Sequence, residues 1–184
     1  MDMDDLVTTR LRLRELSMDD APAIAELFRD VEVARFHNLG PVTDLAEADE
    51  AISRVRAGTE AGHMLRWAIT VPPIDRAIGT VGFLNITPAD RRAGIGYDLA
   101  RPYWGQGLAT EAVEAVVRYG LQTLGLHRIE ADVMPGNERS MRLLQTLGFV
   151  EEGQLRDYAY FKGRFNTLIR YSLLTTDPGR HTVG

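Results

Sequence analysis

No cysteine occurs among the 184 residues, which excludes disulfides, thiolate metal sites and a cysteine nucleophile at once. Histidine is sparse as well: His37, His63, His127 and His181 are scattered, with no i,i+4 pair to put two metal ligands on one helix face. No apolar run is long enough to span a bilayer, and the acidic start Met1-Asp2-Met3-Asp4-Asp5 is the opposite of a signal peptide. Positive charge is not in excess: a net charge of −5 argues against a dedicated nucleic-acid binder and suits a basic acceptor such as an amine. Internal repeats, low-complexity tracts and linkers are missing too. What is left is ordinary globular composition, 45% hydrophobic and 26% charged, in a length that suits one domain with its own core. The expectation is a cytoplasmic protein without a metal, a membrane partner or a direct nucleic-acid partner.

Along the chain, Leu11 and Leu13 alternate with arginines, so residues 8–15 read as a half-buried strand. Ser17 opens a helix carrying Ile24, Leu27, Phe28 and Val31. His37 then falls in a breaking segment, as a loop residue or one that faces a substrate. Asp44 caps a second helix, bearing Ala48, Ile52 and Val55, that ends at Gly58. Strands follow at 65–71, at 77–86 (with Gly79 and Gly82 marking bulges or close packing) and at 92–99, joined too tightly for crossovers and hence antiparallel. A helix over 108–123 leads to a strand at 127–134, which makes a parallel crossover with 92–99. Asn137 caps a short helix over 138–145, ended by Gly148. Strands near 149–155 and 168–174 close the domain, and the aromatic stretch before the last is a Lys-Gly hairpin, an acceptor cleft or a dimer contact. Residues 1–174 are expected to form the domain, and 175–184 a flexible tail.

The chain is organised around Arg101-Pro102-Tyr103-Trp104-Gly105-Gln106-Gly107-Leu108-Ala109-Thr110-Glu111-Ala112. A short apolar run leads in and an amphipathic pattern leads out. Strand, glycine loop, helix is the order that makes an anion site: glycines allow a tight turn, and the first helical turn aims unpaired N–H groups and the positive dipole end at a ligand. A phosphate or pyrophosphate fits. No lysine stands at the loop's end, so backbone donors carry the binding. The Walker pattern and the three-glycine dinucleotide pattern both fail here.

The run Trp104 to Ala112 resembles the acyl-coenzyme A pyrophosphate loop of the GNAT superfamily of N-acetyltransferases. Pro135-Gly136-Asn137-Glu138-Arg139-Ser140-Met141-Arg142-Leu143-Leu144-Gln145-Thr146-Leu147-Gly148-Phe149 resembles that family's second signature. Thr9-Arg10-Leu11-Arg12-Leu13-Arg14 and Tyr171-Ser172-Leu173-Leu174 are similar to its ribosomal-protein N-terminal acetyltransferase (RimJ/RimL-like) branch. The resemblance covers nearly the whole chain. It implies an α/β (α+β) domain with a mixed, mostly antiparallel sheet of about seven strands and about four helices, splayed between the fourth and fifth strands. It further implies acetyl-CoA as donor and a primary amine as acceptor, most specifically the N-terminal α-amine of a protein such as a ribosomal protein. A monomer or homodimer is implied by family habit.

Acetyl transfer from a thioester needs a grip on the donor, a polarised carbonyl, a neutral amine and a proton for the leaving thiolate. The grip is assigned to Trp104, Gly105, Gln106, Gly107, Leu108, Ala109 and Thr110. By resemblance the edge Tyr97-Asp98-Leu99 pairs with the pantetheine arm, with the carbonyl against an amide near Asp98 or Leu99. Asn137 caps its helix and can bond the arm, Ser140 can protonate the thiolate, and Arg142 can reach a phosphate. The family's usual tyrosine acid is replaced by Leu144, which has no proton to give. Gly94 stands where the resembled branch often has a glutamate, and Asn166-Thr167 where an aspartate is common. The base is therefore open among Asp98, Glu111, Asp157 and water, with Asp98 the candidate carried forward and Glu111 also read as an acid complementing its helix dipole. Alternative functions are acetylation of a small amine, aminoacyl conjugate or antibiotic, and a non-catalytic acyl-CoA-binding module.

Overall fold

The computed structural model describes residues 3–37 and 44–178. Its strands are β1 (Leu6–Val7), β2 (Arg12–Glu15), β3 (Leu65–Val71), β4 (Ile74–Thr87), β5 (Arg92–Leu99), β6 (Arg128–Val133), β7 (Val150–Phe161) and β8 (Arg164–Leu174). They form one sheet in the order β1-β2-β3-β4-β5-β6-β8-β7. Every adjacent pair is antiparallel except β5 with β6. The α-helices are α1 (Ala21–Arg29), α2 (Val31–Ala34), α3 (Leu45–Glu60), α4 (Leu108–Gln122) and α5 (Glu138–Thr146). The two-residue β1 is an addition to the sequence reading, too short for a periodicity to register. The first helix, read as continuous through Val31, breaks at Asp30, whose extended backbone and side chain, accepting the Glu32 N–H, start α2 instead.

Strand alternation sorts the core into two layers. Trp67, Val81, Phe83, Ile95 and Ile129 join the layer with Ala112, Val113 and Val116 of α4 and Leu144 of α5. Ala68 and Ala77 join the other layer, with Ile24, Leu27 and Phe28 of α1 and Ile52 of α3. Each fully buried Val, Leu, Ile or Phe among them stabilises the fold by about 1.5–3 kcal/mol relative to exposure. Leu144 is fully buried, so the position that departs from the family's tyrosine is core.

Two boundaries move for physical reasons. The second helix runs past Gly58 to Glu60, because the glycine in the left-handed conformation that ends it is Gly62, with φ of 76°, and not Gly58. The interior glycines of β4 mark close packing: a Cβ on Gly79 would stand 2.2 Å from the Asp98 carbonyl oxygen, and one on Gly82 2.1 Å from that of Leu65. The last two strands are longer than their apolar cores suggested and meet in a two-residue turn, Lys162-Gly163, with φ of 53° and 74°.

Candidate active site

The site begins where the sheet comes apart. β5 pairs with β6 only at Arg92, Ala93 and Gly94, opposite Arg128, Ile129 and Glu130. Beyond Gly94 the two strands diverge, β5 remaining on β4 and β6 on β8. This is the expected splay. The Ala100 N–H donates to the Ile78 carbonyl at 2.8 Å, so Ala100 faces β4. Alternation then turns the Asp98 amide toward β4 and those of Tyr97 and Leu99 into the wedge. Of the two amides expected to face an acyl group, Leu99 is the one on the open edge. The Leu99 carbonyl accepts the Trp104 indole N–H at 2.6 Å, which fixes the ring at the end of the wedge.

β5 delivers the chain to the glycine loop. Gly105 and Gly107 have φ of 74° and 76°, the left-handed region, so the loop needs glycine at both places. Gly107 is the N-cap of α4, and its carbonyl accepts the Glu111 N–H at 3.1 Å. The N–H groups of Leu108, Ala109 and Thr110 belong to the first turn, which has no intrahelical acceptor for them. Sequence reading missed what holds this turn in place. Arg10 donates to the Gln106 carbonyl at 2.8 Å and to the Glu111 carboxylate at 2.7 Å, and Thr8 donates to the same carboxylate at 2.6 Å. Burial pushes the Glu111 carboxyl up, yet the hydrogen bonds from Thr8 and Arg10 win and hold it below its ordinary value. Glu111 is thus a structural anion of the loop. The one available signal was the alternating arginine at position 10.

On the α4/α5 face of β5, the Tyr97 hydroxyl and Ser140 Oγ lie 2.6 Å apart. Burial pushes the Tyr97 phenol up to about 12, with Asp98 adding to the rise and Ser140 opposing it. Asn137 caps α5 by accepting the Ser140 N–H at 3.3 Å, so it fixes the residue that meets Tyr97. Arg142 is exposed on α5, and the Arg139 guanidinium sits 4.5 Å from the Trp104 ring centroid, joining α5 to the start of the loop.

The other face of β5 holds an ionic cluster. The Asp98 carboxylate accepts from Arg66 at 2.6 Å, and Arg66 also donates to Thr80 at 2.9 Å. His37 Nε2 stands 3.8 Å from the same Asp98 oxygen, with its ring 4.5 Å from that of Phe28. Lys162, at the hairpin turn, donates to the carbonyls of Ala34 (2.7 Å) and Arg35 (3.2 Å). It ties the β7–β8 hairpin to the end of α2. Asp157 is exposed on β7, on the far strand of the sheet.

A model of the acetyltransferase (GNAT) domain matches residues 10–150. An uncharacterized N-acetyltransferase, p20, of Bacillus licheniformis is 42% identical over 172 residues, covering 94% of this chain and 97% of that one. The ribosomal protein uS5-alanine N-acetyltransferase of Escherichia coli is 31% identical over 186 residues, covering 95% and 94%. The structure of Mycobacterium smegmatis RimJ in complex with CoA-disulfide superposes with a TM-score of 0.84 at 27% identity, covering 93% of this chain and 87% of that one. Splayed sheet, left-handed glycine loop and full-length relatives agree: the chain belongs to the GNAT family and is an N-acetyltransferase of that type.

Proposed function

We propose that the protein moves an acetyl group from acetyl-CoA to the N-terminal α-amine of a protein, with ribosomal proteins as the acceptor class. The observation that carries the donor half is the β5 edge, which opens beyond Gly94 and runs directly into the left-handed turn at Gly105 and Gly107. An extended amide-bearing arm fits the first, and a pyrophosphate fits the second. Residues Trp104 to Thr110 would hold the pyrophosphate and Arg142 would reach it from α5. Tyr97 and Leu99 would pair with the arm, the Leu99 N–H facing the acyl oxygen. Bound acetyl-CoA supplies the activated acyl carbon. The chain excludes a cysteine acyl-enzyme, so direct attack by the amine is the route.

Ser140 is the proposed donor to the leaving thiolate, with Tyr97 behind it: a phenol held near 12 stays protonated and can re-supply the serine. Asn137 is a positioning residue through the Ser140 amide. The acceptor class rests on the relative named as a uS5-alanine acetyltransferase and on an acidic chain that suits basic partners. We place the reaction in the cytoplasm, with residues 1–174 as the catalytic domain, 175–184 as a tail and a monomer or homodimer as the working unit. The test is acetyl-CoA turnover, read as free thiol, against short peptides and small amines. Peptide turnover supports the reading, and turnover on small amines alone replaces the acceptor.

A further inference from the structure

The base that Gly94 and Asn166 leave unprovided is open in sequence, and resting on the acetyl-transfer reading the structure supplies a different group. We propose that His37 and Asp98 form the seat of the acceptor amine, the Asp98 carboxylate receiving the ammonium and His37 Nε2 taking its proton. His37 Nε2 and the Asp98 oxygen are 3.8 Å apart, with side-chain exposures of 18% and 10%, so the pair is enclosed without being sealed. One nitrogen at about 2.8–2.9 Å from each would subtend roughly 85°, within reach of two N–H bonds of a single ammonium. Adjacent residues on β5 also put the two halves of the chemistry on opposite faces. Tyr97 meets Ser140 on one side, Asp98 meets His37 on the other, and the open edge with the Leu99 amide lies between them.

Charge around the seat favours this division of labour. Arg66, from β3, donates to Asp98 at 2.6 Å, so the carboxylate is already engaged by a cation and is read as a binding group. Burial is the main cause holding His37 below its ordinary value, Arg66 and Lys162 add to that, and Asp98 opposes it. The imidazole is therefore neutral near pH 7. Arg66 beside Asp98 also disfavours positive charge on an amine placed there, which eases loss of its proton. The step balances. The nitrogen bonds to the acyl carbon as the carbon–sulfur bond breaks, and the bonding pair leaves on sulfur. Of the two protons an ammonium sheds in becoming an amide, one goes to His37 and one reaches the thiolate by way of Ser140. Ammonium, thioester and imidazole give amide, thiol and imidazolium. The ring's contact with Phe28 would by itself make His37 a packing residue, so the test needs a readout that packing does not move.

That readout is kcat at saturating acetyl-CoA and peptide from about pH 5 to about pH 9. The wild-type protein is expected to lose activity as pH falls through the His37 pKa, on a limb below the ordinary histidine value of 6.5. His37→Gln should lower kcat by at least about tenfold, remove the limb and leave acetyl-CoA binding by calorimetry unchanged. Lys162→Gln removes a cation that lowers the His37 pKa, so it should move the limb to higher pH. His37→Gln with kcat within about twofold of wild type, or with the limb intact, overturns the proposal. If that variant does not fold, a limb unmoved in Lys162→Gln overturns it instead. Failure of the acetyl-transfer reading is distinguishable: the wild-type chain would release no thiol with any amine.

Discussion

The Tyr97 hydroxyl is the most consequential polar group on the donor side, because it converts Ser140 from a helix serine into half of a hydroxyl pair. A serine alone is a poor acid; one backed by a protonated phenol has a proton source. Ser140→Ala is expected to lower kcat by about 10- to 100-fold with little change in the KM for acetyl-CoA. The measurement is steady-state thiol release, and unchanged kcat would remove Ser140 from the proton path. Ser140, Asn137 and the loop glycines were legible in sequence because their spacing carries a motif. The partner of Ser140 was not, since Tyr97 lies 43 residues away and nothing in a sequence reports a contact between strand and helix. His37 was harder still: a lone histidine in a loop has no pattern, and only the fold sets it against Asp98.

Helix α4 links the loop to the core, and its fit depends on one missing methyl group. A Cβ on Gly120 would lie 2.5 Å from Phe83 Cζ and 3.2 Å from Leu126 Cδ1. Gly120→Ala gains about 1 kcal/mol of helix propensity. It is nevertheless expected to lose stability, by about 1–3 kcal/mol, because the helix must lift off the sheet. A lower urea midpoint checks this, and a raised one would show that Phe83 gives way at no cost. The β6–β8–β7 edge carries a pH-sensitive element instead. Glu152 is held at about 2, chiefly by its hydrogen bonds from Arg128, against burial and helped by Ser172. Its folded value lies below its ordinary 4.5, so its contribution is present above 4.5 and is lost as pH falls toward 2. Glu152→Gln should therefore show a smaller drop in urea midpoint than wild type between pH 7 and about pH 3. Equal drops would mean the pair adds nothing. Periodicity gave the helices and inner strands their identity. It failed at their ends: at Gly58, which the helix passes before Gly62 ends it, and at β7, where exposed aromatics and two register shifts hide a strand.

At the scale of the molecule, one break in sheet pairing organises everything else. The antiparallel run β3-β4-β5 and the parallel β5–β6 pair followed from connection lengths and a crossover helix, whereas the insertion of β8 between β6 and β7 did not. The wedge came from the family resemblance alone, because the residues beyond Gly94 read as strand whether or not a neighbour pairs with them. The proposed donor grip, the Tyr97–Ser140 hydroxyl pair and the proposed amine seat all lie along that unpaired edge, on one loop and the two faces of one strand. The same architecture in coenzyme A-bound Mycobacterium smegmatis RimJ and the similarity to the Escherichia coli uS5-alanine acetyltransferase set the expectation for both substrates. The most direct measurement is the product of acetyl-CoA and a short peptide that carries both a free N-terminus and an internal lysine, located by fragment mass. The account predicts thiol release matched one for one by acetyl on the α-amine, with the lysine unmodified. Acetyl on the lysine side chain, or thiol release that no peptide sustains, would contradict it.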